Sequence, residues 1–334
     1  MSDMEKTVLS GMPPQDPSAR LGLVLEGGAM RGMYTAGVTD VFMENKIEFD
    51  GAIGVSAGAV FGCNYESRQI GRTIRYNTKY CRDPRYVGMR SFLKTGDLYN
   101  ADFDYRLLPE ELDPFDVRTF AANPMEFWCV VTDAETGKPY YHPCRTGTGE
   151  DMLYMRASAS MPAASRPVRI GDHLYLDGGI ADSIPLAFFQ SIGYARCVVI
   201  LTQPADYVKQ PQKHFPLIKR LLRKYPAIAD RLETRHTRYN DQLKYIHEQG
   251  RGGSCLLICP DSPLNIGSMC RDPQELRRVY EAGRRIGEKY LPQVKEFVGA
   301  EHIGQWAHPY STDILTQEQA GSAAIGDSNG QVSG

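Results

Sequence analysis

The feature that most constrains this chain is a piece of punctuation that occurs twice near its start. Leu21–Glu26 (LGLVLE) is an apolar run of strand length that stops at Gly27-Gly28. From Met30 to Asn45 the apolar residues Met33, Ala36, Val38, Val41 and Phe42 then recur at helical spacing. Phe49–Val55 (FDGAIGV) repeats the pattern. It runs into Ser56 and a small-residue segment, AGAVFGC, that reads as a helix. A strand that ends on glycine and hands over to a helix, twice in succession, predicts a parallel sheet with helices on its faces.

The rest of the chain can extend such a sheet. Glu126–Thr132 (EFWCVVT) reads as a strand and, through a turn around Thr136-Gly137-Lys138, pairs with Pro139–His142 as a hairpin. Asp151–Ala159 has helical character. Val168–Ile170 and His173–Leu176 flank a Gly171-Asp172 turn as two short strands, and Ala195–Thr202 and Ser254–Cys259 are apolar strands. Asp272-Pro273-Gln274-Glu275 carries the marks of a helix start: a capping Asp, Pro in the first turn and Glu three residues after the cap. That helix is expected to run to about Tyr290. No internal repeat is evident.

With 334 residues, 42% of them hydrophobic, the chain can bury a core for one large domain or two ordinary ones. A net charge of -2 argues against a nucleic-acid binder, which would carry a basic balance. No apolar run approaches the ~20 residues needed to span a bilayer, and the N-terminus lacks the apolar core of a signal peptide. Residues 1–20 are read as a disordered leader and the protein as cytoplasmic, reaching membranes only from the side. None of the eight cysteines forms a CxxC pair, and several sit in apolar runs. Buried free thiols are expected, with no metal site.

Three glycine-framed turns carry candidate chemistry. Gly54-Val55-Ser56-Ala57-Gly58 is a G-x-S-x-G between a strand and a helix. There a serine is pushed into a strained turn with its hydroxyl exposed, over the positive end of a helix. The alternative is a serine that merely caps that helix. Glu26-Gly27-Gly28-Ala29-Met30-Arg31-Gly32 also joins a strand to a helix. Its backbone N–H groups can converge on a negative oxygen, as an oxyanion hole. A dinucleotide loop fits poorly, because Ala29 stands where the G-x-G pattern needs glycine. Leu176-Asp177-Gly178-Gly179 ends a third strand. Alone it is an ordinary Asp-Gly turn. With a serine nucleophile nearby, Asp177 is a candidate base. Seven histidines (142, 173, 214, 236, 247, 302 and 308) could serve instead, but none lies in a glycine-framed turn.

Together, GGAMRG, GVSAG and DGG, in that order, resemble the patatin-like phospholipase family, most closely its bacterial branch. The stretch Arg156–Ala163 (RASASMPA) and the segment Asp177–Pro185 (DGGIADSIP) look like the family as well. The resemblance covers roughly Leu21 to Thr202 and extends to the last strand and helix. It implies a three-layer α/β/α sandwich with a mainly parallel central sheet, lipid acyl hydrolase activity, and a Ser–Asp dyad without histidine. By match of motif, Ser56 is the nucleophile and Asp177 the base. The backbone of Gly27, Gly28 and Ala29–Arg31 forms the oxyanion hole, with Ala57 contributing its N–H, and Gly32, Gly54, Gly58, Gly178 and Gly179 shape the turns. No cofactor is implied. Ala29 and Glu26 depart from the family's usual glycine and Asp or Gly. Asp182 is expected to cap a helix beside Pro185.

The domain layout expected is a leader (1–20), a hydrolase domain (21–300) with a basic helical insertion at about 204–250, and an extension (301–334) disordered from about 311. Lys209–Arg238 holds nine Lys/Arg against two acids, interleaved with Phe215, Leu217, Ile218, Leu221 and Leu222. Such a basic amphipathic helix can lie on an anionic membrane, although a solvated face is the plainer reading. A lipid ester is the expected substrate. A non-catalytic module that binds lipid or phosphate on the same fold is the rival.

Overall fold

The computed structural model describes residues 19–304, apart from Ala163 and His214. The expected tail, His308 and all but the last two residues of the expected leader lie outside the described residues.

Eight strands form one sheet: β1 (Leu21–Leu25), β2 (Gly51–Val55), β3 (Glu126–Asp133), β4 (Pro139–Cys144), β5 (Val168–Ile170), β6 (His173–Asp177), β7 (Arg196–Ile200) and β8 (Cys255–Ile258). The order is β5-β6-β3-β2-β1-β7-β8, with β4 also on β3. The pairs β3–β2, β2–β1, β1–β7 and β7–β8 are parallel; β3–β4, β3–β6 and β5–β6 are antiparallel. The helices are α1 (Gly32–Glu44), α2 (Ala57–Glu66), α3 (Arg72–Tyr80), α4 (Met89–Thr95), α5 (Val117–Ala122), α6 (Glu150–Ser158), α7 (Leu186–Ser191), α8 (Phe215–Leu221), α9 (Pro226–Glu233), α10 (Arg235–Arg251) and α11 (Pro273–Val298). A π-helix, Phe103–Leu112, lies between α4 and α5.

The central strands are buried on both faces, which is why they read as continuous apolar runs. Leu23, Leu25 and Ala52 face a core with Met33, Phe42 and Phe61 of α1 and α2 and Leu276 and Val279 of α11. Val24 and Ile53 face a second core with Phe189 of α7 and Tyr239, Leu243 and Ile246 of α10. Each aliphatic side chain taken fully from water contributes about 1.5–3 kcal/mol. Two layers of helix across one mostly parallel sheet make the α/β/α sandwich that the resemblance implied.

Three expectations need correction. The last helix does not stop near Tyr290 but continues through Pro292 to Val298. Val294, Phe297 and Val298 are buried there, and this packing outweighs the lost backbone bond at proline. The basic segment is not one amphipathic helix. It contains α8, α9 and the start of α10, and Pro226 opens α9. Leu222, Ile228 and Leu232 pack inward in a small core of their own, while Leu217 and Leu221 stay exposed. Asp182 is not a helix cap. Its carboxylate accepts the Tyr141 hydroxyl (2.8 Å) and the Gln242 amide (2.5 Å), tying β4 to α10. All eight cysteines are free thiols, six of them buried.

Candidate active site

The two chemistry-bearing strands meet on β3. One edge of β3 pairs with β4 along Phe127–Thr132. The other pairs first with β2, ending at Val55↔Val130, and then with β6, beginning at Val131↔Asp177. β2 and β6 run in opposite senses, so their C-terminal ends face each other at consecutive positions on β3. This brings Ser56 to Asp177.

Ser56 has φ 55° and ψ -122°, a region that side chains rarely adopt. It occupies the N-cap position of α2, yet its side chain makes no capping bond. That removes the helix-cap alternative. The strain is imposed by packing around the glycines. A Cβ on Gly54 would strike the backbone of Gly58, and one on Gly58 would strike the Leu25 carbonyl. The Ser56 N–H donates to Ser158 Oγ (2.9 Å), which in turn donates to the Val130 carbonyl (2.6 Å). Ser158 was not among the expected site residues, although it lies in the small-residue run Arg156–Ala163.

The glycine loop lies directly against this turn. A Cβ on Gly27 would sit 2.8 Å from Ser56 Cβ, and one on Gly32 would sit 2.8 Å from Ala57 Cβ. Ala29 is held at φ 50°, which accounts for the family's preference for glycine at that place. The alanine bears a strain of about 1–2 kcal/mol. Gly28, Ala29 and Ala57 have N–H groups without an acceptor among the described residues, and Ala29, Ser56 and Ala57 line one cavity. Arg31 departs from expectation. Its N–H donates to the Gly28 carbonyl (3.1 Å), closing a 3₁₀ turn, so it is not free for an oxyanion. Its guanidinium instead reaches Thr202 Oγ1 at 3.5 Å.

Asp177 is 1% exposed. Its Oδ1 accepts the Gly179 N–H at 2.7 Å. Burial pushes its pKa up to about 6, against the downward pull of the Ser56 hydroxyl, the Arg235 cation and the Gly179 N–H. The Ser56 hydroxyl is thus within electrostatic reach, but Oδ2 completes no hydrogen bond of good geometry among the described residues. A loose contact of this kind is common before substrate tightens a site. Gly178 is fixed against β3, where a Cβ would meet the Val130 carbonyl.

Residues far along the chain complete the site, and the motifs did not reveal them. Arg235, at the start of α10, donates from Nε to the Gly179 carbonyl (2.5 Å), and Arg238 donates to the Ile180 carbonyl (2.9 Å). Part of the basic segment therefore turns inward, onto the Asp177 loop. Glu26, 3% exposed, accepts the Thr202 N–H (2.6 Å) and the Tyr239 hydroxyl (2.6 Å). It ties the ends of β1 and β7 to α10 and so steadies the glycine loop. An acid placed directly at the end of the apolar run Leu21–Leu25 was the available signal.

Among the described residues, no histidine lines the Ser56 cavity. His142 is bonded to Asp151 (2.7 Å) and His173 to Asp133 (3.0 Å). His142, Cys144 and Asp151 cluster closely, but the carboxylate is already used. Its Oδ2 accepts the N–H groups of Arg145, Thr146 and Gly147. Burial would raise Asp151, but these bonds and His142 pull it down to about 2. The trio is a structural knot.

The Ser56 cavity has a volume of about 400 Å³ and is lined mainly by apolar groups, among them Val60, Phe61, Met155 and Met161. A neighbouring cavity of about 660 Å³ is lined by Asp97, Arg106, Glu110, Arg156 and Arg166 and does not contain Ser56, while Asp177 lines neither cavity. The apolar one is the candidate for a lipid chain.

The model of the patatin-like phospholipase family matches residues 23–189, which spans both turns. The chain belongs to that family. Membership places it among lipid hydrolases in general terms. A second model, for a domain of unknown function, matches residues 225–299. In this patatin-like protein that stretch supplies β8, α10 and α11 to the same sheet and helix layers. The chain is 29% identical over 288 residues to the uncharacterized protein YjjU of Escherichia coli, covering 82% of this chain and 78% of YjjU. It is 28% identical over 180 residues to lysophospholipase nte1 of Emericella nidulans, covering 52% of this chain but 11% of that protein. The solved structure of VipD from Legionella pneumophila aligns with a TM-score of 0.42 at 10% identity, over 94% of this chain and 77% of that one. That score is too low to bear on the fold.

Proposed function

We propose that the protein is a serine-dependent lipid acyl hydrolase that cleaves carboxylic esters through a Ser56–Asp177 dyad. The observation that carries this reading is the meeting of the strained Ser56 turn with a buried acid whose pKa is held at about 6. Such an acid is ionised at neutral pH yet basic enough to take a proton. Asp177 removes the Ser56 proton as Oγ attacks the ester carbonyl. The N–H groups of Gly28, Ala29 and Ala57 receive the negative oxygen. The alcohol leaves, and water then frees the acid from the acyl-enzyme. A purely binding module would have no use for a serine held in strain beside a proton acceptor.

The family and the lysophospholipase relative support a lipid ester as substrate, and the apolar cavity suits an acyl chain. No described helix is long and apolar enough to cross a membrane. We place the enzyme in the cytoplasm, where free thiols persist, with peripheral contact through the exposed side of α8. The test is a fluorophosphonate probe and a short p-nitrophenyl ester. The probe is expected to label Ser56 alone, and turnover to vanish with Ser56→Ala. Labelling at another residue, or turnover in the variant, would overturn the assignment.

A further inference from the structure

The Ser56 cavity contains a group that the proposed reaction does not use. Asp104 lines it. Its Oδ1 is shut off from solvent and has no hydrogen-bond partner among the described residues, and no ion pair reaches the carboxyl there. Three other polar groups of the wall are already satisfied. The Arg72 guanidinium donates to the Asp113 carbonyl and to Asn64 Oδ1 (2.9 Å). The Tyr86 hydroxyl donates to Asn77 Oδ1 (2.7 Å) and the Tyr99 hydroxyl to the Ser268 carbonyl (3.1 Å). These tyrosines therefore have no hydroxyl proton to spare for Asp104. A lone acid among apolar surfaces costs folding free energy, and proteins retain one where a ligand completes it.

The acid is carried on the π-helix Phe103–Leu112. Its i→i+5 bonding brings residues four and five apart to one side. Asp104, Leu108 and Pro109 accordingly all face the cavity, with Tyr105 beside them. π-Helical turns are rare and gather at functional sites. This one sets a carboxyl into a mainly apolar wall.

We propose that Asp104 is a specificity residue for the acyl chain, hydrogen-bonding a hydroxyl group carried along the chain of the ester held at Ser56. Burial drives its carboxyl well above the usual carboxylate range, which favours the neutral acid. A neutral acid both donates and accepts, as a hydroxyl does. A cationic group would suit it less, because Asp104 would have to ionise where no N–H of the described residues reaches its carboxyl to steady the charge. The proposal deepens the hydrolase reading and rests on it for the ester. Chain binding can be measured without turnover, so the two can fail separately.

Ser56→Ala protein is titrated calorimetrically with dodecanoate, with a set of hydroxydodecanoates bearing the hydroxyl at successive carbons, and with 12-aminododecanoate. At least one hydroxylated isomer is expected to bind about tenfold more tightly than the plain chain. Adding Asp104→Leu should abolish or reverse that preference, and Asp104→Asn should keep part of it, since an amide still bonds a hydroxyl. The asparagine variant also serves if the leucine variant fails to fold. The proposal is overturned if the plain chain binds as well as every isomer, if the preference survives Asp104→Leu, or if the amine binds best. Ser56-dependent turnover of a plain ester alongside any of those results would leave the hydrolase reading standing.

Discussion

The serine turn and the aspartate turn are both strand ends framed by glycine, but they are held in different ways. Ser56 is fixed by backbone packing. Its glycines abut Leu25 and one another, and its N–H is met by Ser158. Asp177 is fixed electrostatically. It is a buried acid whose neighbouring loop is held by arginines from α10. The comparison teaches that the first half of the site is a matter of shape and the second a matter of charge. The serine half should therefore respond to added volume and stay insensitive to pH, and the aspartate half should do the opposite.

The strongest way to break the serine half is to remove the hydroxyl. Ser56→Ala should lower kcat by about a thousandfold or more with the fold intact, as read by ester turnover and circular dichroism. Gly58→Ala keeps the hydroxyl but drives a Cβ into the Leu25 carbonyl. It should destabilise by about 1–3 kcal/mol and remove activity at every pH. Full activity in that variant would show that backbone packing does not set the turn.

Asp177→Asn should lower kcat by about a hundredfold or more and at the same time stabilise the fold. Because the folded pKa, about 6, lies above the ordinary carboxylate value, the native state favours the protonated acid. The contribution of Asp177 to stability is fully present below its unfolded pKa and is lost as pH rises through about 6. The asparagine variant should thus gain up to about 3 kcal/mol of stability near pH 8 and equal the parent below about pH 4. Equal melting at both pH values would remove the electrostatic description.

Arg235→Gln sharpens the same half. Removing a cation that holds the pKa of Asp177 down should move the acidic limb of kcat/KM to higher pH, with a few-fold loss at about pH 6 that recovers at alkaline pH. An unchanged profile would make Arg235 a packing residue. Replacing His142 or His173 by Ala should cost only a few-fold, since each is bonded to a different carboxylate. The smallest effect on soluble ester is expected from reversing Lys219, Arg220, Arg223 and Lys224. Vesicle co-sedimentation should fall by about 1 kcal/mol per charge, most at low salt. Lys219 should contribute least, because Asp230 (3.8 Å) and Glu233 (3.6 Å) already lie beside it.

The same contrast explains what could be read from the chain. The serine turn and glycine loop are sequence-local, so strand, glycine and helix spell them out between Leu21 and Glu66. The hairpin, the β5–β6 pair and the cap at Asp272 follow equally short-range rules. The supports of Asp177 are not local. Arg235 belongs to a segment whose composition suggests a solvated surface, and only the packing of α10 against the sheet turns it inward. Arg31 looked available because its N–H lies in a glycine-rich loop, yet the 3₁₀ turn consumes it. Ala29 tolerates a positive φ that its residue type does not announce. Helix α11 continues past Pro292 because of what it covers.

The meeting of β2 and β6 along one edge of β3 has a mechanical meaning. The spacing between Ser56 and Asp177 is gauged by one peptide step of a third strand, about 3.3 Å, and not by the long stretch of chain between them. Insertions at the exposed Gly171-Asp172 turn should leave that gauge untouched, whereas a one-residue slip of β6 would swing Asp177 to the opposite face of the sheet. Tolerance for new loops and intolerance for a shifted register are two outcomes of one ruler.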